Sequence, residues 1–152
     1  AKASGTFTAP SKPVTVDQKG MKFVPYITPV LAGTTVDFLN SDSMNHNVFT
    51  PDNEGFNLGT FGPTEKRSYA FKKTGNYTLL CSLHTEMEGF VIALDNPYFA
   101  TVGGDGKFTI ANVPDGSYNL KVWGKKLKKD EKDKQFPVTV AGGKVTATID
   151  FN

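Results

Sequence analysis

Seven consecutive residues, Cys81 to Met87, hold the only cysteine of the chain, one of its two histidines and one of its three methionines. The other histidine, His46, lies upstream between Asn45 and Asn47. A thiolate, two imidazoles and a thioether make the donor set of a blue copper electron-transfer centre, with two histidines and a cysteine in a trigonal plane and a weak axial methionine. Thiolate favours Cu(I), and imidazole suits both Cu(I) and Cu(II). His46, Cys81, His84 and Met87 are therefore the candidate ligands of one copper ion. Met21 and Met44 read as core and loop residues.

Taken singly, each residue has a plainer reading. Cys81 would be a small buried hydrophobe and Met87 a filler of core gaps. What favours a metal is their joint occurrence on one short stretch, with His46 upstream. Two alternatives stay open. Glu86 and Glu88 flank Met87, so a carboxylate ligand would give a red copper centre with an open coordination position. A copper delivery or storage protein would need similar donors but a looser hold. Catalysis is disfavoured by counting. A multicopper oxidase, a copper nitrite reductase or a copper-zinc dismutase needs several histidines beyond those of one such centre, and this chain has two. With both on the metal, no imidazole remains to serve as a general base. The chain reads as no enzyme.

Strands must position these donors. Val36 to Leu39, Ser68 to Phe71, Tyr77 to Cys81 and Phe90 to Leu94 are short β-branched or aromatic runs bounded by turn residues. Lys107 to Ile110 and Tyr118 to Trp123 follow, and Val145 to Asn152 alternates apolar and polar residues as a half-buried strand does. The Gly- and Asn-broken stretch from Asp52 to Phe61 reads as loop. Tyr77, Leu79 and Cys81 share one strand face, so Cys81 emerges at the strand's end with two core residues behind it. The Cys81–Met87 loop is then held at both ends, and a ligand loop that cannot re-form between oxidation states suits fast electron transfer. His46 follows the strand ending at Asn40 and the polar turn Ser41-Asp42-Ser43, which brings it to the same pole. Asn47 is placed to donate its backbone N–H to the Cys81 sulfur, and Asn45 to offer a distant axial carbonyl; both would tune the copper from outside its ligand set.

Many short strands with frequent turns predict an all-β sandwich or barrel. At 152 residues the chain suits one domain with a small appendage. We expect an N-terminal strand segment over 1–20, a copper-binding domain over 21–95, and three or four further strands over 96–152 packed against it, with recruitment of a strand near Ser4 to Thr8. The lysine-rich segment from Lys125 to Lys134 reads as a solvated hairpin tip. A net charge of +2 gives no reason to expect nucleic acid, and no apolar run reaches membrane-spanning length. A monomer is expected. One cysteine excludes an intrachain disulfide. The start at Ala-Lys-Ala lacks a signal-like apolar segment, so any signal peptide is expected to have been removed.

Cys81-x₂-His84-x₂-Met87, followed by Glu88-Gly89-Phe90-Val91, resembles the ligand loop of the cupredoxins, with the short spacing of amicyanin. Phe38-Leu39-Asn40 before Asn45-His46-Asn47-Val48-Phe49 resembles the upstream histidine segment of that superfamily. The stretch from Gly106 to Trp123 is similar to the transthyretin-like regulatory module of carboxypeptidases, a module attached to cupredoxins described as methylamine-utilisation-like proteins. These resemblances imply a Greek-key cupredoxin β-sandwich with a C-terminal β-sandwich-like extension. They also imply one copper ion cycling between Cu(I) and Cu(II), and redox partner proteins as donor and acceptor. An exposed histidine edge at His84 would be the electron's exit. Blue copper carriers of this kind work in the periplasm or otherwise outside the cytoplasm.

Overall fold

The structure, a computed structural model, describes residues 5–151. The described residues divide into two compact units, one spanning Phe7–Phe108 and the other running from Thr109 to Phe151 together with Gly5 and Thr6. The larger unit contains β1 (Val14–Gln18), β2 (Phe23–Val24), β3 (Ile27–Leu31), β4 (Thr34–Leu39), β5 (His46–Thr50), β6 (Phe56–Phe61), β7 (Lys66–Phe71), β8 (Gly75–Leu80) and β9 (Glu88–Leu94). They form a four-stranded sheet in the order β2-β1-β4-β7 and a five-stranded sheet in the order β3-β9-β8-β5-β6.

Period-two patterning explains why the sheets face each other. On β4, Thr34, Val36 and Phe38 are buried while Thr35, Asp37 and Leu39 are half-buried. The strand lies antiparallel to β7 and parallel to β1, which adds Val16 and Phe71 to the same inner face. From the other sheet, Val48, Tyr77, Leu79 and Val91 enter the same core cluster. The Phe71 ring meets Tyr77 edge-on at 4.9 Å. Full burial of one such side chain stabilises by about 1.5–3 kcal/mol, so the two layers are bound by many contacts of that size. The alternation of β8 continues one residue past its end, and Cys81 turns inward behind Tyr77 and Leu79. Residues Gly89 to Ala93 of β9 are buried without alternation, as expected of a strand covered on both faces. Glycine is required at 89, because an added Cβ would stand 2.8 Å from the Phe23 Cβ.

The stretch from Asp52 to Phe61 corrects the loop expectation, since Phe56–Phe61 pairs with β5 as an edge strand. Asn47 opposes Thr60 and Phe49 opposes Asn57, so Leu58 and Gly59 together face Val48 alone. That is a β-bulge, and Gly59 takes the positive φ of 75° that it requires. The glycine marks a kink in a strand and not its end.

The smaller unit contains β10 (Gly116–Leu120), α1 (Lys129–Asp133) and β11 (Phe136–Val140). β10 and β11 form an antiparallel ribbon in which Tyr118 faces Val138 and Leu120 faces Phe136. The strands expected over Lys107 to Ile110 and Val145 to Phe151 make no ladder. Their side chains do alternate: Phe108 and Ile110, then Ala147, Ile149 and Phe151, are half-buried between exposed neighbours. Periodicity records which face a residue turns inward, whereas a ladder also needs a partner backbone in register. Asn152 and Ser4 lie outside the described residues, and 5–8 form no strand. The lysine-rich segment carries a short exposed helix in place of a plain hairpin tip. Its first turn holds Asp130 and Glu131, and Glu131 accepts the Lys128 N–H at 2.7 Å.

Candidate metal centre

Two sheet features converge at one pole of the larger unit. β8 delivers Cys81 into the core, and β5 begins with His46, Asn47 and Val48 all buried. The Cys81–Met87 loop closes with a turn in which the Met87 N–H donates to the His84 carbonyl at 3.0 Å. His46 Nδ1 and His84 Nδ1 stand 3.1 Å apart, and Cys81 Sγ lies 3.8 Å from His84 Nδ1. Donor atoms of His46, Cys81 and His84 all fall within 4.8 Å of one another, the one such cluster among the described residues.

These spacings suit a shared ion. Imidazole nitrogens bind a first-row metal at about 2.0–2.1 Å and thiolate sulfur at about 2.3 Å, so two donors on one ion stand roughly 3–4 Å apart. Two ring nitrogens that both turned lone pairs toward each other at 3.1 Å would repel unless a cation or proton lay between them. His46 is 0% exposed and Cys81 2%, whereas His84 is half-buried. Met87 is 1% exposed and packs in the core cluster at the loop's end. Glu86 points to solvent, and the Glu88 carboxylate accepts the Tyr26 hydroxyl at 2.9 Å.

Asn47 binds the two ligand-bearing segments to each other. Its N–H donates to Cys81 Sγ at 3.3 Å, and its side-chain oxygen accepts the Ser82 N–H at 3.1 Å. Its amide nitrogen donates to Asn57 Oδ1 at 2.8 Å and to the Gly59 carbonyl at 3.1 Å. The β6 bulge thus supplies the groups that hold Asn47 in place. The side-chain oxygen of Asn45 lies beside Gly62, where an added Cβ would come within 3.1 Å of it.

Asp42, in the polar turn Ser41-Asp42-Ser43, joins the site although its residue type alone does not mark it as a ligand. His46 Nε2 lies 2.8 Å from Asp42 Oδ2. The Met21 N–H, joined by His46 and the Gly20 N–H, holds the Asp42 carboxyl below the usual carboxylate range against the opposing effect of desolvation. A carboxylate four residues before a candidate ligand histidine was the available signal.

Residues 11–93 match the copper binding proteins of the plastocyanin/azurin family. The chain belongs to that family. It is a cupredoxin, a copper electron-transfer protein, and family members hold one copper, for which His46, Cys81 and His84 stand together as possible ligands. Among solved structures, this cupredoxin is similar to amicyanin from Paracoccus versutus (Thiobacillus versutus), with 27% identity and a TM-score of 0.52 over 56% of this chain and 84% of that one. A reduced amicyanin variant gives 25% identity and a TM-score of 0.52, covering 56% and 85%. A copper-containing nitrite reductase from Thermus scotoductus SA-01 gives 29% identity and a TM-score of 0.54 over 62% of this chain. The cupredoxin spans only 25% of that reductase. Residues 74–148 also match domain II of polysaccharide lyase family 4. The two family matches overlap on β8 and β9, and the pairing of those strands with β5 and β3 assigns them to the cupredoxin sheet. No curated protein matches the chain.

Proposed function

We propose that this protein is a type 1 blue copper protein that shuttles single electrons between redox partner proteins, with His46, Cys81 and His84 as equatorial ligands and Met87 as the axial one. The observation that carries the reading is the 3.1 Å and 3.8 Å spacing of two imidazole nitrogens and a cysteine sulfur in a buried pole. Bound there, copper would supply a one-electron Cu(I)/Cu(II) couple. The chain's own part is to hold the donors still. Asn47 ties the His46 strand to the Cys81 loop, and its N–H draws electron density from the sulfur. Asn45 is a distant second axial group on this reading. His84, half-buried beside the 50% exposed Leu83, is the proposed exit for the electron.

A closed donor set supports a carrier over an enzyme, a red copper centre or a copper store. Burial of Met87, exposure of Glu86 and the Tyr26 bond to Glu88 all favour the thioether over a carboxylate. We read the protein as a monomer working in the periplasm or otherwise outside the cytoplasm. We read the smaller unit as a transthyretin-like β module, as in methylamine-utilisation-like proteins; the ribbon of β10 and β11 supports a β module of that kind.

The test is one spectrum of the copper-loaded protein. A type 1 centre gives an intense visible thiolate-to-copper band with narrow copper hyperfine splitting, and slow loss of metal to a chelator. A weak band with wide splitting would rule it out. The axial assignment has its own test. Met87→Gln should keep copper bound and lower the reduction potential, because an amide oxygen binds the oxidised ion more strongly than a thioether does. An unchanged spectrum and potential would remove Met87 from the ligand set.

A further inference from the structure

We propose that Asp42 is a positioning residue for His46, an anionic carboxylate that holds the ring through Nε2–H, presents Nδ1 to the copper and biases the centre toward Cu(II). The proposal rests on the reading of His46 as a ligand. The His46 ring has no solvent contact, so its orientation and tautomer are set by what it touches. Nε2 lies 2.8 Å from Asp42 Oδ2, and Nδ1 is the nitrogen that meets His84. An ionised carboxylate only accepts, so the proton of that contact belongs to Nε2, which leaves the Nδ1 lone pair for the metal.

Asp42 is itself fixed from outside the histidine segment. The Gly20 N–H donates to Oδ1 at 2.7 Å and the Met21 N–H to Oδ2 at 2.9 Å. Both residues sit in the left-handed region, Gly20 at φ 63° and Met21 at φ 56°, and their successive amides converge on the one carboxylate. A methionine rarely adopts that conformation, which persists where surrounding structure demands it. On the inner side, the Asp42 N–H donates to Asn40 Oδ1 at 3.0 Å, and the Asn40 amide donates to the Met44 and Phe61 carbonyls. The turn between β1 and β2 therefore reaches the copper pole through one carboxylate and one ring. A negative charge behind the ring raises the basicity of Nδ1 and stabilises the doubly charged ion more than the singly charged one. The expected consequence is a lower reduction potential.

Two measurements test this. In the metal-free wild-type protein, ¹⁵N NMR should find a proton on His46 Nε2; a proton on Nδ1 alone would overturn the proposal without need of any variant. Asp42→Asn keeps the side chain's shape and removes its charge. It should keep the visible band but lower Cu(II) affinity about 10–100-fold, with a smaller loss for Cu(I). The potential should rise by about 59 mV for each tenfold change in that ratio. A coloured Asp42→Asn protein with an unchanged or lower potential would overturn the proposal and leave the ligand reading intact. Cu(I) loading that left the His46 Nδ1 resonance unshifted would overturn the ligand reading, and this proposal with it.

Discussion

Replacing Cys81 with serine is expected to give a colourless protein with no type 1 copper spectrum. The visible band of such a centre is charge transfer from thiolate to copper, so it disappears with the sulfur. A hydroxyl is a hard donor that stays protonated near neutral pH, and it cannot take the place of a thiolate toward Cu(I). The metal-free fold should survive the change. The two side chains are similar in size, and the Asn47 N–H that now donates to Sγ at 3.3 Å can donate to Oγ instead. A buried polar group left unpaired costs about 1–3 kcal/mol, and this partner keeps the loss toward the low end. Copper titration followed by absorbance, alongside urea unfolding of the metal-free protein, separates the two effects. A Cys81→Ser protein that bound copper with its colour intact would remove the sulfur from the site.

Replacing His46 with alanine is expected to weaken copper binding by more than the roughly 100-fold that changing a supporting residue can cost. His46 is 0% exposed, so water has no ready route to the vacated position, whereas the half-buried His84 has solvent beside it. The alanine variant also leaves the Asp42 carboxylate without its ring partner inside the turn, so some destabilisation of the metal-free protein should accompany the lost affinity. Competition with a chelator of known affinity measures the first effect and urea unfolding the second. Undiminished copper affinity would show that His46 is no ligand.

The four candidate ligands could be named from residue types and spacing because soft donors are so scarce in this chain. With one cysteine and two histidines, few other sets can be assembled. The inward turn of Cys81 followed from counting by twos back to Leu79 and Tyr77, since a strand carries its alternation past its last ladder bond. Gly59 shows where such counting stops. In the sequence a glycine between polar residues looks like a break, but in the sheet it is the bulge that lets β6 follow β5 and reach Asn47. The same limit governs the smaller unit. The alternation at Ala147, Ile149 and Phe151 is real in burial, yet those residues pair with no strand.

Local patterning was enough to fix the chemistry of the donors and the faces on which most strands bury their side chains, because both depend on residue type and on a period of two. Long-range placement belonged to the folded chain alone. No spacing rule connects Gly20 and Met21 to Asp42, or Asn57 to Asn47, since the first contacts arise only when separate turns meet and the last only when β5 and β6 pair in register. Those contacts set ring orientation, tautomer and the field at the metal. The type of metal was therefore written locally, while the tuning of its potential was left to packing.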